Sequence, residues 1–348
     1  MPRRRQLEKF PMTIDDYNNL PRGSKIGLWS DSVNFPSLPL MKLSTWHKQR
    51  GDTVEMLQGA NYDRVYISKI FNLPLINKIP KEPTDYTATE VFRGGTGYAI
   101  KVENGREVFH PELHENLPEE IEWQYPDYSL YPEFSDIAYG FLTRGCCNNC
   151  GFCIVCPKEG RQSVQVAELT DFWQGQKVIK LLDPNLFACK DRIKLLRQLC
   201  NCGAYIDFTQ GVDARFVDDE VAELLASMKI KEVHFAFDFM KNEAAILRGL
   251  ECFRNHWRKS YNNVDCYILT NYDTTFEQDW YRVRKVKELG IHPDVRIYQK
   301  GTHDRFLTDL SRWANNRRLY KSTTFENYIP RKDGKSCKEL YPDILKGV

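Results

Sequence analysis

The sequence carries no surplus of charge of either sign. Its 49 Lys and Arg stand against 47 Asp and Glu, a formal charge of +2 over 348 residues. That balance argues against a globally basic nucleic-acid binder, whose field needs an unbalanced surface. Long apolar runs are missing too. None reaches the ~18–20 residues that span a bilayer, so no membrane partner is expected. The opening MPRRRQLEKF has the positive flank of a signal peptide but no apolar h-region behind it. Repeats of the ~20–50-residue solenoid type and low-complexity tracts are likewise absent. With 42% hydrophobic residues, however, the chain can bury a large core, which excludes wholesale disorder. The expectation is a soluble, cytosolic protein. At ~100–200 residues per domain it has room for two domains, or for one α/β barrel with an extension.

Cysteine, by contrast, is plentiful. There are eleven, an odd number in a long chain, and that fits a secreted disulfide framework poorly. Five of them fall within residues 146–156. In a reducing compartment such a cluster reads first as a metal site.

Along the chain, residues 1–24 read as a polar, basic arm. Residues 25–100 alternate strand candidates (KIGLWS, TVEML, RVYIS and TEVFR running into GGTG) with a helix candidate, LMKLSTWHKQRGD, ended by Gly51. This is the pattern of a small Rossmann-like α/β domain. Residues 101–137 hold ten acidic residues against Lys101 and Arg106, with four prolines, and read as a connector. From 138 to 300 the order is regular. Strand candidates IAYGFLT (137–143), VIKLLD (178–183), YIDFT (205–209), EVHFAFD (232–238), DCYILT (265–270) and DVRIYQ (294–299) alternate with helix-like segments. Strands in that rhythm make βαβ units and a parallel sheet, covered on both faces or curled into an incomplete barrel. Chemistry in such folds sits at the strand C-termini. Residues 301–348 read as a C-terminal cover. The predicted class is α/β.

The first strand of the regular region runs into GFLTRGCCNNCGFCIVCPKEGR, where Cys146, Cys150 and Cys153 have the spacing C-x3-C-x2-C. Thiolates this close can wrap one polynuclear iron centre from a single loop. Three ligands leave one iron open, as a catalytic centre requires. Other readings stand beside this one. A zinc ribbon wants two CxxC pairs, and only Cys200-x-Cys202 is available. A ferredoxin-type run using Cys150, Cys153 and Cys156 before Pro157 lacks its fourth cysteine. Cysteines packed in a core need no metal at all.

The motif resembles the signature of the radical S-adenosylmethionine (radical SAM) superfamily. TRGC-x3-CGFC resembles the branch holding methylthiotransferases and proteins with an N-terminal cobalamin-binding domain. The likeness covers 138–300 well and 25–100 loosely. It implies a partial (βα)6 TIM-like barrel behind a Rossmann-like, cobalamin-binding-like domain. It implies that Cys146, Cys150 and Cys153 hold a [4Fe–4S] cluster whose fourth iron chelates SAM. A flavodoxin- or ferredoxin-like reductant would supply the electron that releases a 5′-deoxyadenosyl radical, and that radical would take hydrogen from a substrate. The residue matches follow the motif. Phe152 corresponds to the aromatic near the adenine, or is a core residue. Asp183 and Asn185 lie where the family binds the methionine amino group, or cap the next helix. Gln210, Asp213 and Arg215 would face the ribose and the methionine carboxylate, for which Arg offers a two-pronged donor; Asp213 and Arg215 could equally be an ion pair. Asp238, Asn271, Gln299 and Lys300 end later strands and are candidate substrate contacts. A non-catalytic iron–sulfur protein on the same fold is the alternative.

Several features depart from the branch. Its cobalamin-binding members carry D-x-H-x-x-G, whereas Asp31 is followed by Ser32 and Val33, and the nearest histidine is His47. GGTG (94–97) reads as a strand-end turn needing positive φ. Cys147 and Cys156 read as packing residues beside the loop. A second cluster would have to gather Cys189, Cys200, Cys202 and Cys337 from afar. Residues 255–321 carry thirteen Lys and Arg against eight acids, interleaved with Trp257, Tyr261, Trp280, Tyr281, Trp313 and Tyr320. That mixture is compatible with a nucleic-acid partner and equally with amphipathic surface helices. No added basic β-barrel, the usual tRNA module of methylthiotransferases, is legible at the C-terminus.

Overall fold

Apolar, β-branched runs in the first hundred residues build a four-stranded parallel sheet in the computed structural model, which describes residues 13–59, 61–71, 80–103, 106–260, 263–299, 304–332 and 334–346. Two compact units emerge: residues 1–140 with 149–160 and 168–177, and residues 141–148 with 161–167 and 178–348.

The first unit opens with α1 (Ile14–Asn18), then β1 (Lys25–Ser30), α2 (Leu38–Gln49), β2 (Thr53–Met56), β3 (Asn61–Ser68) and β4 (Thr87–Gly94). The sheet order is β2-β1-β3-β4, with Ile26 level with Val54 and Arg64, and Asn61 with Thr87. Leu28, Tyr66 and Phe92 pack with Leu40 and Leu43 of α2, while Val65 and Ile67 belong to a separate cluster with Tyr62 and Tyr86. Both faces of the sheet are therefore covered, as a parallel sheet requires. After β4 the chain turns at Gly95 (φ +102) into α3 (Thr96–Ala99). A Cβ on Gly95 would sit 2.3 Å from the Lys69 carbonyl oxygen, and one on Gly97 2.7 Å from that of Phe71. The GGTG segment is thus a turn pressed against the 69–71 backbone. A hairpin of β5 (Ile100–Glu103) and β6 (Arg106–Phe109) follows, then α4 (Glu119–Glu122). The acidic segment expected as a connector is held against α2. Lys42 reaches Glu122 at 2.7 Å, Lys48 and Ser44 each reach Asp127 at 2.6 Å, and Ile121 is fully buried.

Next come β7 (Ile137–Gly140), β8 (Thr143–Arg144), α5 (Val155–Glu159) and β9 (Val164–Gln165). The regular part of the second unit is β10 (Val178–Leu181), α6 (Arg192–Asn201), β11 (Tyr205–Val212), α7 (Asp219–Ser227), β12 (Lys229–Ala236), α8 (Glu243–His256), β13 (Val264–Thr270), α9 (Phe276–Glu288), β14 (His292–Ile297) and α10 (Arg305–Asn315). The strands join a six-stranded sheet in the order β14-β13-β12-β11-β10-β7, and β10 through β14 pair in parallel. The end strands do not meet, so the sheet is open. Alternation along the strands sends Ile179, Leu181, Phe208, Val233, Phe235, Cys266, Ile268 and Val295 into the core. The helices supply their apolar faces to it: Leu195 and Leu199, Val221 and Leu225, Leu250 and Phe253, Val283 and Val286, Leu310 and Trp313. The intervening strand positions are polar. Lys180 pairs with Asp207 at 3.3 Å, His234 stacks on Tyr267 at 4.8 Å, and Arg317 reaches Asp265 at 2.5 Å. A closed barrel fills that face with branched apolar side chains. Here it is left hydrophilic.

Candidate functional site

The strand predicted over 137–143 stops at Gly140, and a single carboxylate explains why. Asp183, just beyond β10, accepts hydrogen bonds from the backbone N–H of Leu142 (3.2 Å) and Thr143 (2.5 Å) and from the Thr143 hydroxyl (2.7 Å). These bonds draw the chain out of the ladder, and β8 pairs antiparallel with β9 instead. Gly145 then turns left-handed (φ +84), a conformation only glycine takes at little cost, and delivers Cys146. Asp183, expected to face a ligand or to cap the next helix, has its carboxylate engaged by the segment leading to Cys146. Its burial pushes the carboxyl up to about 6 against the pull of those hydrogen bonds.

Around Cys146 the second unit assembles residues from three chain segments. Asn185 Nδ2 points to Cys146 Sγ at 3.5 Å and to Asp213 Oδ2 at 3.3 Å. Asp213 is gripped by Arg215 through two prongs, Nε to Oδ1 at 2.8 Å and Nη2 to Oδ2 at 2.6 Å, and also accepts from Asn148 Nδ2 at 3.2 Å. Arg215 donates in turn to Asn148 Oδ1. Burial alone would raise the Asp213 carboxyl, but the Arg215 hydrogen bonds and charge outweigh it and hold the group below its usual value. The carboxylate therefore stays ionised, which fixes the Asn185 amide: Nδ2 must face it as donor. The other amide atom, Asn185 Oδ1, is buried with no hydrogen-bond partner among the described residues, in a side chain 2% exposed. An orphaned buried acceptor costs about 1–3 kcal/mol, so the site calls for a donor. A ligand ammonium is such a donor.

The other sequence-named residues are distributed as follows. Cys150 and Cys153, in the first unit, share a tight turn (Cys153 N–H to Cys150 carbonyl, 3.0 Å), and Cys153 Sγ accepts the Val155 N–H at 3.5 Å. Phe152 between them is half-buried. Cys147 is exposed, and desolvation, with Cys146 and Asp213 adding, pushes its thiol up, so it is protonated near neutrality. Gln210 is exposed on β11. Asp238 accepts the Leu269 N–H at 2.9 Å, and Asn271 (φ +63) donates to the Tyr298 carbonyl at 2.8 Å. Both spend a polar atom on the strand ends rather than turning wholly outward. Lys300 lies outside the described residues, and Gln299 adopts φ +48. Sequence reasoning missed two residues. One is Asn148, whose partner Asp213 is 65 positions away. The other is Arg282, 0% exposed, which donates to the carbonyls of Phe237 (2.7 Å), Asp238 (3.0 Å) and Leu269 (2.9 Å) and so braces the C-terminal ends of β12 and β13. Of the aromatics interleaved with the basic residues, Trp257, Trp280 and Trp313 are 3%, 2% and 0% exposed, Tyr281 and Tyr320 are half-buried, and Tyr261 lies outside the described residues.

In fold, the chain is similar to a solved radical SAM protein. The structure is that of the radical S-adenosylmethionine methyltransferase TsrM from Kitasatospora setae, with cobalamin and a [4Fe–4S] cluster bound. The likeness covers 80% of this chain and 75% of that one at a TM-score of 0.56. At 13% sequence identity it is a likeness of fold. No protein-family model matches the sequence, and no curated protein matches it. Nor is any helix among the described residues long and apolar enough to cross a membrane.

Two groups present in TsrM can be tested against the residues of this chain. The donor set around Cys146 fits a cluster ligand with an amino-acid ligand beside it: a thiol receiving N–H donors, a buried amide acceptor without a donor, and an arginine whose fork a carboxylate can share. Cobalamin ligated from the Asp31 segment or by His47 does not fit. Asp31 accepts the N–H groups of Ile70 (2.8 Å) and Phe71 (3.0 Å), and His47 is fully buried with its ring nitrogens against Asp52 (2.7 Å) and Tyr66 (2.9 Å). Neither is free to reach a metal.

Proposed function

We propose that the chain is a radical SAM enzyme in which Cys146, Cys150 and Cys153 hold a [4Fe–4S] cluster and Asn185, Asp213 and Arg215 hold SAM. The observation that carries this reading is the buried, partnerless Oδ1 of Asn185 beside Cys146. The C-x3-C-x2-C spacing and the fold shared with TsrM support it. When bound, the cluster and SAM supply one-electron cleavage of a sulfonium C–S bond and, through it, hydrogen abstraction from a substrate. The chain's own residues bind and orient. Asn185 accepts the methionine ammonium at Oδ1. Arg215, held by Asp213 and Asn148, presents its remaining guanidinium edge to the methionine carboxylate. Asp183 fixes the path of the chain into Cys146, and Phe152 offers an aromatic surface for the adenine. Asp238 and Asn271 lie at strand ends where a substrate would enter, and the hydrophilic sheet face favours a polar one. A flavodoxin- or ferredoxin-like protein is the partner that would deliver the electron.

The test is anaerobic. The reconstituted, reduced chain should convert SAM to 5′-deoxyadenosine, and Cys150→Ala should abolish both cluster and cleavage. A chain that binds a cluster without cleaving SAM would be the non-catalytic iron–sulfur protein instead.

A further inference from the structure

Away from the cysteine loop, α7 and α8 carry a second set of metal-type side chains. Asp219 and Glu223 are four apart on α7, and Cys252 and His256 are four apart on α8, so each pair shares one helix face. α8 packs tightly on the turn before α7 because residue 249 has no side chain. A Cβ there would lie 1.8 Å from the carbonyl oxygen of Ala214, in the turn that leads into α7. Cys252 Sγ then lies 3.5 Å from Asp219 Oδ1, and His256 Nε2 lies 3.6 Å from the same oxygen and 4.0 Å from Glu223 Oε1. Among the described residues this is the group whose ligand atoms from Asp219, Cys252 and His256 all fall within 4.8 Å of one another.

Those separations can be set against a metal's requirements. Tetrahedral zinc, with Zn–S about 2.3 Å and Zn–N or Zn–O about 2.0–2.1 Å, places sulfur and oxygen ligands about 3.5 Å apart and nitrogen and oxygen about 3.3 Å apart. The Asp219 distances need adjustments of at most a few tenths of an ångström, which its exposed side chain can make; Glu223 lies outside that set of three. The histidine is already oriented. Its Nδ1 lies 3.0 Å from the Cys252 carbonyl, to which it donates, leaving the Nε2 lone pair toward the carboxylates. Ligating histidines are held in this way. One thiol, one imidazole and one carboxylate suit zinc rather than magnesium or calcium, which take oxygen alone.

We propose that Asp219, Cys252 and His256 form a binding site for a zinc-class divalent cation that staples α7 to α8, with water in the fourth position and Glu223 beside it. The ligands come from both helices, so the ion ties them together. The site is independent of the iron–sulfur assignment, and its test is built to remain so. The full chain carrying Cys146→Ala, Cys150→Ala and Cys153→Ala is titrated with cobalt(II), a spectroscopic stand-in for zinc. One equivalent should bind and give a thiolate-to-cobalt charge-transfer absorption. Adding Cys252→Ser should remove that absorption. Adding His256→Ala should weaken binding at least about tenfold, the loss that even outer-shell partners of a ligand produce. In a second readout, zinc should raise the Tm of the otherwise unsubstituted chain, purified anaerobically, and should not raise that of its Cys252→Ser variant. No cobalt bound, a spectrum indifferent to Cys252→Ser, or a zinc effect that survives it would overturn the proposal.

Discussion

Asn185 and Asp183 stand two positions apart after the same strand and do opposite work. Asn185 keeps a buried acceptor without a donor among the described residues, while Asp183 has three donors from the chain itself. Asn185→Ala should therefore weaken SAM binding by about tenfold or more, the scale of a hydrogen bond to a charged group at about 1.5–3 kcal/mol. Iron content should stay at the parental value, since the residue is no cluster ligand. Equilibrium binding of SAM to the reconstituted protein checks this, and unchanged affinity would count against the role. Asp183 makes a pH prediction. Its folded value of about 6 lies above the ordinary carboxyl value of 3.8, so the native state keeps a proton that the unfolded chain loses between those limits. The contribution is fully present below about pH 4 and is lost as pH rises through 6. That is about two pKa units, on the order of 3 kcal/mol. The difference in unfolding free energy between parent and Asp183→Asn should change by this order from pH 4 to pH 7. A pH-independent difference would contradict it.

At the scale of elements, the fit of α8 on the 214–216 turn is set by one missing methyl group. Gly249→Ala gains up to about 1 kcal/mol in helix propensity. It also places a Cβ against the Ala214 carbonyl, and overpacking of this kind costs about 1–3 kcal/mol. We expect a net loss of about 1 kcal/mol in urea unfolding; equal or greater stability would show that the turn has slack. The elements also show what sequence can reveal. The six strands of the larger sheet were legible because each is a short apolar run between turn residues. The end of the first was not, because what pulls the chain away at Leu142 is Asp183, 41 positions later. The hairpin β5–β6 was hidden by its polar, acidic composition. At the site the cysteines announce themselves through local spacing. Asn148 and Arg282 do not, since their partners are remote in sequence and an exposed Asn or a helical Arg has no local signal.

For the whole molecule, near-zero net charge conceals local order. Acidic residues of 101–137 are matched by lysines on α2 within the first unit, and basic residues of the C-terminal region pair with strand acids such as Asp265 in the second. The tryptophans interleaved with those basic residues are buried, while Tyr281 and Tyr320 are half-buried. Under the proposed function, the polar sheet face and the strand ends near Asp238 and Asn271 are where a substrate would bind. The measurement that bears most directly on the account is the fate of SAM. Incubated anaerobically with the reduced, reconstituted chain, SAM should yield 5′-deoxyadenosine, and Cys146→Ala, Cys150→Ala or Cys153→Ala should each reduce that yield to background. Intact SAM after incubation with a chain that carries its full complement of iron and sulfide would contradict it.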